Sequence, residues 1–404
     1  MVDWLSAAER LTAIDRSTVV LDTQRCLHSH DRFATCKSCF DVCPDGAIRP
    51  GKPPALDSQR CSSCLACLPV CPAGAYAADD AVPALLNCTV HLETGTLELV
   101  CKRHPAAQTG LASESVGVRV RGCLAGLGSA AYLALAALGL ERILIRLDAC
   151  DQCPWSSLLP LIRKQIGQAG HLLNLWEKMD LLQVVSSTDG GTERPLWDAD
   201  NPPLSRRDLF RMMARQGQLA MARAMAGEHA TTGQRRPGRD RLRILGAVAH
   251  LPEVEVGQRP LPEDLGFAAV SVSESCTACE ACARACPTGT LQFERNEVDR
   301  SYRLSFVSES CIGCEICLHV CAPAAIEVSH KPSFHEIFGQ SGAVVLQEGE
   351  LSRCRKCNIY FAARPGVQLC PLCEFRRSHP FGSMMPPGFK GRGQPISGRD
   401  SDDH

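Results

Sequence analysis

The most regular apolar patterning runs through residues 84–190. TLELVC (96–101), VGVRVRGC (116–123) and ERILIRLDAC (141–150) each read as a short β-branched strand, and LLQVVSS (181–187) as a last one. LGSAAYLALAALGL (127–140) is Ala/Leu-rich with glycines at its edges and reads as a helix, and PWSSLLPLIRKQIGQAG (154–170) as a second. Strands alternating with helices predict a small parallel α/β domain over 84–190. Helical spacing recurs in residues 1–17, predicting an N-terminal helix, and in 205–227. In the latter Leu209, Met212, Met213, Leu219 and Met225 fall broadly on one side, with Ser205 as N-cap. The rest of the chain carries little periodicity, and cysteines dominate it instead.

Composition narrows the class. The 404 residues suffice for several domains, and a formal net charge of −1 gives no global case for nucleic acid. No run of eighteen or more uncharged apolar residues is present, so a transmembrane helix is not expected. The N-terminus lacks a basic segment followed by an apolar one and does not read as a secretory signal. The 25 cysteines are odd in number and grouped in C-x2-C units, which argues for metal ligation rather than a disulfide framework. Thiolate ligands need a reducing compartment, so a cytoplasmic location is expected.

CTACEACARACP and CIGCEICLHVCAP place Cys276, Cys279, Cys282 and Cys286, then Cys311, Cys314, Cys317 and Cys321, in C-x2-C-x2-C-x3-C spacing. Three thiolates at such intervals wrap one corner of an iron–sulfur cube, and the fourth leaves in another direction; zinc knuckles would use pairs. The stretch resembles the bacterial dicluster ferredoxins over roughly residues 268–330. It departs from them where Ala322 separates Cys321 from Pro323. The resemblance implies two [4Fe–4S] clusters with crossed ligation. Cys276, Cys279 and Cys282 would share one with Cys321, and Cys311, Cys314 and Cys317 the other with Cys286.

The same pattern stands near the N-terminus in altered form. Cys61, Cys64, Cys67 and Cys71 match it, whereas the earlier copy keeps Cys36, Cys39 and Cys43 but has Phe33 where its first cysteine belongs. Cys26 is expected to take that place across the insertion LHSHDRFAT, with His28 and His30 as rivals. Crossed ligation would then pair Cys26, Cys36 and Cys39 with Cys71, and Cys61, Cys64 and Cys67 with Cys43.

In the α/β region Cys101 ends one strand, Cys123 follows the next, and Cys150 and Cys153 follow the third; Cys88 is a fifth member or a bystander. In a parallel sheet these strand ends share the edge where α/β folds bind ligands. Cys101, the Gly122-Cys123 pair and the Cys150–Cys153 unit are similar to the small iron–sulfur delta subunit of methyl-viologen-reducing hydrogenases. That resemblance implies a [2Fe–2S] centre and a relay role. A redox disulfide at Cys150–Cys153 is the alternative.

Cys354, Cys357, Cys370 and Cys373 form two C-x2-C knuckles that make a tetrahedral thiolate site resembling a zinc ribbon. Rubredoxins share the spacing but carry glycine after each knuckle, where this chain has Asn358 and Glu374; zinc is favoured over iron. Residues 191–250 read as a linker: a turn-rich opening, the helix with Arg206 and Arg207, and a flexible basic run, GQRRPGRDRLR. The Arg206–Arg207 stretch resembles a twin-arginine element and is read as a connector, or as a docking helix for an acidic partner or an anionic membrane surface.

The expected fold is therefore α+β and multidomain. Two ferredoxin-like dicluster modules (18–83 and 251–332) flank the parallel α/β domain, a zinc ribbon (333–378) follows, and a disordered tail (379–404) ends the chain. No nucleotide, flavin or nicotinamide motif occurs, and no catalytic residues are assigned. The expectation is a non-catalytic electron-transfer subunit with four [4Fe–4S] clusters, working with protein redox partners in a larger complex such as a hydrogenase, formate dehydrogenase or heterodisulfide-reductase-like enzyme. The alternatives are an accessory or maturation factor for a molybdenum reductase, and a thiol or persulfide enzyme using Cys150 and Cys153.

Overall fold

The computed structural model describes residues 19–111, 114–187, 191–203, 216–226, 235–254, 258–339 and 342–379. The helix expected over 1–17, the Arg206–Arg207 stretch and the tail beyond 379 lie outside them.

Five parallel strands form the central sheet in the order Leu196–Asp198, Val116–Val120, Thr96–Cys101, Arg142–Arg146, Leu182–Val185. The β-branched runs make the inner strands, which are buried on both faces and read as near-continuous apolar stretches. Helix Gly128–Ala137 is buried from Gly128 through Ala136, as its all-round apolar sequence requires. Helix Leu159–Leu173 is amphipathic instead, burying Leu159, Ile162, Ile166, Ala169, Leu172 and Leu173 at helical spacing. Each large aliphatic side chain of this kind contributes about 1.5–3 kcal/mol on burial. The fifth strand lies in the segment read as the opening of a linker. Leu196–Asp198 is only three residues long and follows Pro195, so its own periodicity carries no signal.

The N-terminal module is built from short pairings. Val20–Leu21 pairs with Tyr76–Ala77, and Ile48–Arg49 with Ala55–Leu56, both antiparallel. The C-terminal module repeats the outer pairing with Ala269–Val272 against Ile326–Ser329. Its spacer is elaborated into a hairpin, Leu291–Asn296 with Ser301–Phe306, which continues through Val344–Arg353 to Tyr360–Ala362 in a four-stranded sheet. This sheet carries the chain from the ferredoxin-type cysteines to the last cysteine set.

The segment read as a flexible basic run is the main correction. Among its described residues, Arg239–Val248 is a helix that buries Arg241, Arg243, Ile244 and Ala247. Arg243 pairs with the buried Asp80 at 2.9 Å, and Arg239 with Asp80 at 2.6 Å. Just ahead of the helix, Gly238 donates to the carbonyl of Pro72 at 2.7 Å. A side chain there would collide with the carbonyl of Cys71, so only glycine allows the approach. The arginines are thus spent on interior partners. Helix Gln216–Ala226 likewise packs Leu219, Ala222 and Met225 into the core shared with the α/β domain. No helix among the described residues is long and apolar enough to cross a membrane.

Candidate metal centres

In the C-terminal module the cysteines line two cavities. One is walled by Cys276, Cys279, Cys282 and Cys321 with Val272, Phe293, Leu304 and Ile326. The other has Cys286, Cys311, Cys314 and Cys317 with Val270, Leu291, Phe306 and Val328. Each cavity therefore collects three cysteines from one motif and the fourth from the other. The wraps are tight: Ala278 and Glu280 in the first motif, and Gly313 and Glu315 in the second, have φ between 55° and 63°. Ser63 and Leu65 do the same in the N-terminal copy, with φ of 56° and 66°. Left-handed backbone at non-glycine residues costs on the order of 1–2 kcal/mol each and persists where surrounding structure enforces it. Spacing alone did not disclose these residues, which turn successive thiols inward.

Around Cys36 the wrap differs. Ser38–Asp41 is a helical turn, and no left-handed residue follows Cys36. Cys26 nonetheless lies close enough to Cys36 for their charges to interact, Cys39 feels both, and Cys71 feels Cys36 and Cys39. Cys64 and Cys67 similarly feel Cys61 and Cys43. His28 directs Nε2 to the Cys36 carbonyl at 2.9 Å. His30 is held below its usual pKa by burial and by the Arg235 charge.

The donor chemistry fits iron–sulfur centres. Burial first, and neighbouring thiols second, push Cys314 and Cys282 up to about 12, and burial pushes Cys64 and Cys71 up to about 11. Such thiols ionise when a metal takes the proton's place. Backbone amides already point at sulfur: Ala47 to Cys43 and Ala75 to Cys71 at 3.2 Å, and Ala325 to Cys321 at 3.3 Å. Hydrogen bonds of this kind stabilise thiolate and tune cluster potential.

In the α/β domain Cys101, Cys123, Cys150 and Cys153 line one cavity of about 380 Å³ at the carboxyl ends of the strands, together with His104, Arg103 and Trp155. Arg103 lies 4.2 Å from the Trp155 ring centre, and His104 is bonded to Asp148. Burial, then neighbouring thiols, push Cys150 up to about 12; burial does the same to Cys123, and raises Cys101. Cys88 is apart from this group, buried in helix Ala81–Val90.

The last set is more compact. Among the described residues, Cys354, Cys357, Cys370 and Cys373 bring their ligand atoms within 4.8 Å of one another. This spacing suits one ion. The Cys370 amide donates to Cys354 sulfur at 3.2 Å. Against burial, this amide and those of Cys357 and Lys356 bring Cys354 down to about 6. Asn358 sits at φ 60°, the place where rubredoxins carry glycine, and asparagine tolerates it.

The sets follow one another in space in an order that differs from the sequence. The α/β thiols meet the Cys43/Cys61/Cys64/Cys67 set, because Cys123 feels Cys64 and the Ser63–Leu65 wrap rests on Gly122 and Gly126. Tyr76 lies between that set and the Cys26/Cys36/Cys39/Cys71 set, feeling Cys67 from one and Cys39 and Cys71 from the other. Leu27, Ala34 and Ala73 then pack on Ile312 and Ile316, with Cys36 and Cys314 at the same contact. Cys317 feels Cys282 of the outer set. Beyond it, Ala278 packs on Tyr302, Leu351 and Ala362, beside the four-cysteine site.

Residues 275–325 match the family model of the 4Fe-4S dicluster domain. No curated protein matches the chain. The matched stretch is an iron–sulfur, ferredoxin-like region whose cysteines bind [4Fe–4S] clusters, and the four cysteines at 354–373 can hold a metal ion.

Proposed function

We propose that the chain is an electron-transfer protein that relays single electrons along this line of cysteine sets, through four [4Fe–4S] clusters, as a subunit or partner of a larger redox complex in a reducing, cytoplasmic compartment. The observation that carries the reading is the junction at which Cys36 and Cys314 share one apolar contact with Leu27, Ala34, Ile312 and Ile316. Sequence-distant ligand sets butted together in a water-poor seam serve conduction between modules; storage in separate modules would not need it. Iron–sulfur clusters supply one-electron chemistry when bound. The protein's share is to hold them through thiolates, direct amides at sulfur, and keep water off with residues such as Val270, Leu291, Phe306 and Val328.

The cavity of Cys101, Cys123, Cys150 and Cys153 extends the line by one [2Fe–2S] centre on this reading, and Cys354, Cys357, Cys370 and Cys373 hold structural zinc. Against thiol or persulfide catalysis through Cys150 and Cys153 stands Cys150, which burial pushes up where a nucleophilic cysteine needs a lowered pKa. A maturation or docking role at a molybdenum reductase would use the Arg206–Arg207 stretch, which lies outside the described residues, together with the four-cysteine site.

The test is iron, acid-labile sulfide and zinc per chain on anaerobically purified protein, with EPR of the reduced sample. About sixteen iron and one zinc are expected, with roughly two further iron if the α/β cavity is loaded. Iron near eight would limit the relay to one module and overturn the line as drawn. Partner-free reduction of a small substrate at enzymatic rates would overturn the non-catalytic role.

A further inference from the structure

The Cys286/Cys311/Cys314/Cys317 set differs from the outer set of its own module in two ways that act in the same direction. The first is hydroxyl donors. Two and four residues beyond the fourth cysteine of each motif stand Asp45 and Ala47, Ala73 and Ala75, Thr288 and Thr290, and Pro323 and Ala325. Only Cys286 is followed by threonine at both places. Thr290 Oγ1 lies 3.2 Å and Thr288 Oγ1 3.6 Å from Cys286 sulfur, and both threonines are buried. A ligand sulfur carries no proton, so these hydroxyls donate to it.

The second is a buried cation. Arg241 is 7% exposed and lies on the helix that packs against Ser308–Ser310, the turn leading into Cys311. Its Nη2 donates to the Leu265 carbonyl at 3.0 Å, and its guanidinium lies 3.3 Å from the Phe267 ring centre. Its Nη1 is buried with no hydrogen-bond partner. The neighbouring Asp240 is turned away, accepting from Ser129 at 3.0 Å and from the Ala130 amide at 3.2 Å. Burial pushes Arg241 down to about 9, and the strongest influence holding it up is Cys311, ahead of Asp240. In the loaded protein that thiolate belongs to a cluster, whose net negative charge is the counterpart this guanidinium otherwise lacks. The outer set in the same module has Arg364 nearby, but Arg364 is exposed and its charge is screened by water.

We propose that Arg241, with Thr288 and Thr290, raises the reduction potential of the cluster held by Cys286, Cys311, Cys314 and Cys317 above that of the outer cluster held by Cys276, Cys279, Cys282 and Cys321, so that an electron in this module rests at the junction. A buried positive charge and hydroxyl donors both favour the more negative, reduced state. The inference rests on the electron-transfer reading and assigns its direction: the module delivers electrons inward, toward Cys36 and Cys314.

The test is an EPR-monitored redox titration of the full-length, cluster-loaded protein beside Arg241→Met, Arg241→Lys and Thr290→Val. Arg241→Met should lower one midpoint, reducing that cluster's reduced-to-oxidised ratio at fixed potential about tenfold, or about 59 mV for one electron. Thr290→Val should move the same midpoint the same way by less, and Arg241→Lys should retain most of the wild-type value. Unmoved midpoints in Arg241→Met with iron content intact overturn the proposal, as does movement of a different cluster. If Arg241→Met loses iron, Thr290→Val and Thr288→Val decide, and unchanged potentials in both overturn it. A wild-type protein without four-iron signals would instead overturn the underlying reading, which separates the two failures.

Discussion

Asp31 and His319 stand 288 residues apart in sequence, yet Asp31 Oδ2 and His319 Nδ1 meet at 2.6 Å across the junction of the two cysteine-rich modules. The pair borders the apolar contact of Leu27 and Ala34 with Ile312 and Ile316. Burial would raise the Asp31 pKa, but His319 and the Phe33 amide outweigh it and hold the carboxyl below its ordinary 3.8. A depressed carboxylate contributes stability that is present above its unfolded value and lost as pH falls through its folded one. Asp31→Asn should therefore weaken the junction near neutral pH by about 0.2–1 kcal/mol, the range of partly solvated pairs. Amide hydrogen exchange in residues 27–34 and 312–320 reads this, and variant and wild type should converge below pH 3.8. Equal exchange near pH 7 would remove the pair from the account of the junction.

Cys26 is the displaced ligand of the first set. Cys26→Ser should cost about four iron per chain, one cube, with loss of the corresponding EPR signal. His28→Ala should leave iron unchanged, because its Nε2 is engaged with the Cys36 carbonyl. His28 Nδ1 is buried without a hydrogen-bond partner, so the control is informative. Iron loss in His28→Ala with retention in Cys26→Ser would exchange their roles.

Some of this arrangement could be read from the chain and some could not, for physical reasons. Ligand spacing is a local code: three thiolates two residues apart constrain one wrap, wherever the chain goes next. The strand ends were readable because β-branched runs stop at or just before Cys101, Cys123 and Cys150. The stacking of the modules was not, since it depends on residues whose side-chain chemistry points the wrong way. Arg241 and Arg243 look like solvated basic positions, and only the positions of Asp80, Leu265 and Phe267 make them interior. Nor does any composition rule mark Leu65, Ala278 or Glu315 as left-handed.

Gly126 measures how closely the α/β domain seats the Cys61–Cys67 wrap. A methyl group placed on it would come within 2.8 Å of Leu65 Cβ and 3.2 Å of the Cys64 carbonyl. Neither neighbour is the end of a flexible side chain. Gly126→Val should therefore prise the wrap from the domain and lower iron by up to about four per chain. Far-UV circular dichroism should stay near wild type, because the sheet lies elsewhere. Full iron content would show that the seat is looser than these distances.

The four-cysteine site should bind its ion with a dependence on pH. Cys354 is brought down to about 6 by amide donors, so its thiolate is available at neutral pH, whereas Cys373 is pushed up to about 12 and would release its proton to solvent as the ion binds. Metal retention should weaken as pH falls, because protons compete with the ion for the four thiolates. Cys354→Ser should lose the zinc while leaving the iron of residues 276–321 in place. Concurrent loss of iron would mean that the contact of Ala278 with Leu351 and Ala362 makes the outer cluster depend on this site.

The α/β cavity separates relay from thiol chemistry most directly. With Cys123 and Cys150 both pushed up to about 12, the thiolate fraction of each at neutral pH is orders of magnitude below that of a free cysteine near 8.5. A bound metal would take the place of their protons and relieve their mutual repulsion. Cys150→Ser should therefore abolish a [2Fe–2S] signal and lower iron by about two, while roughly sixteen remain in the four cubes. In metal-free protein, alkylation of Cys150 should stay slow near pH 7 and climb without a plateau toward pH 10. A plateau near pH 7 or 8 would reveal an activated thiol and move the domain from conduction to catalysis.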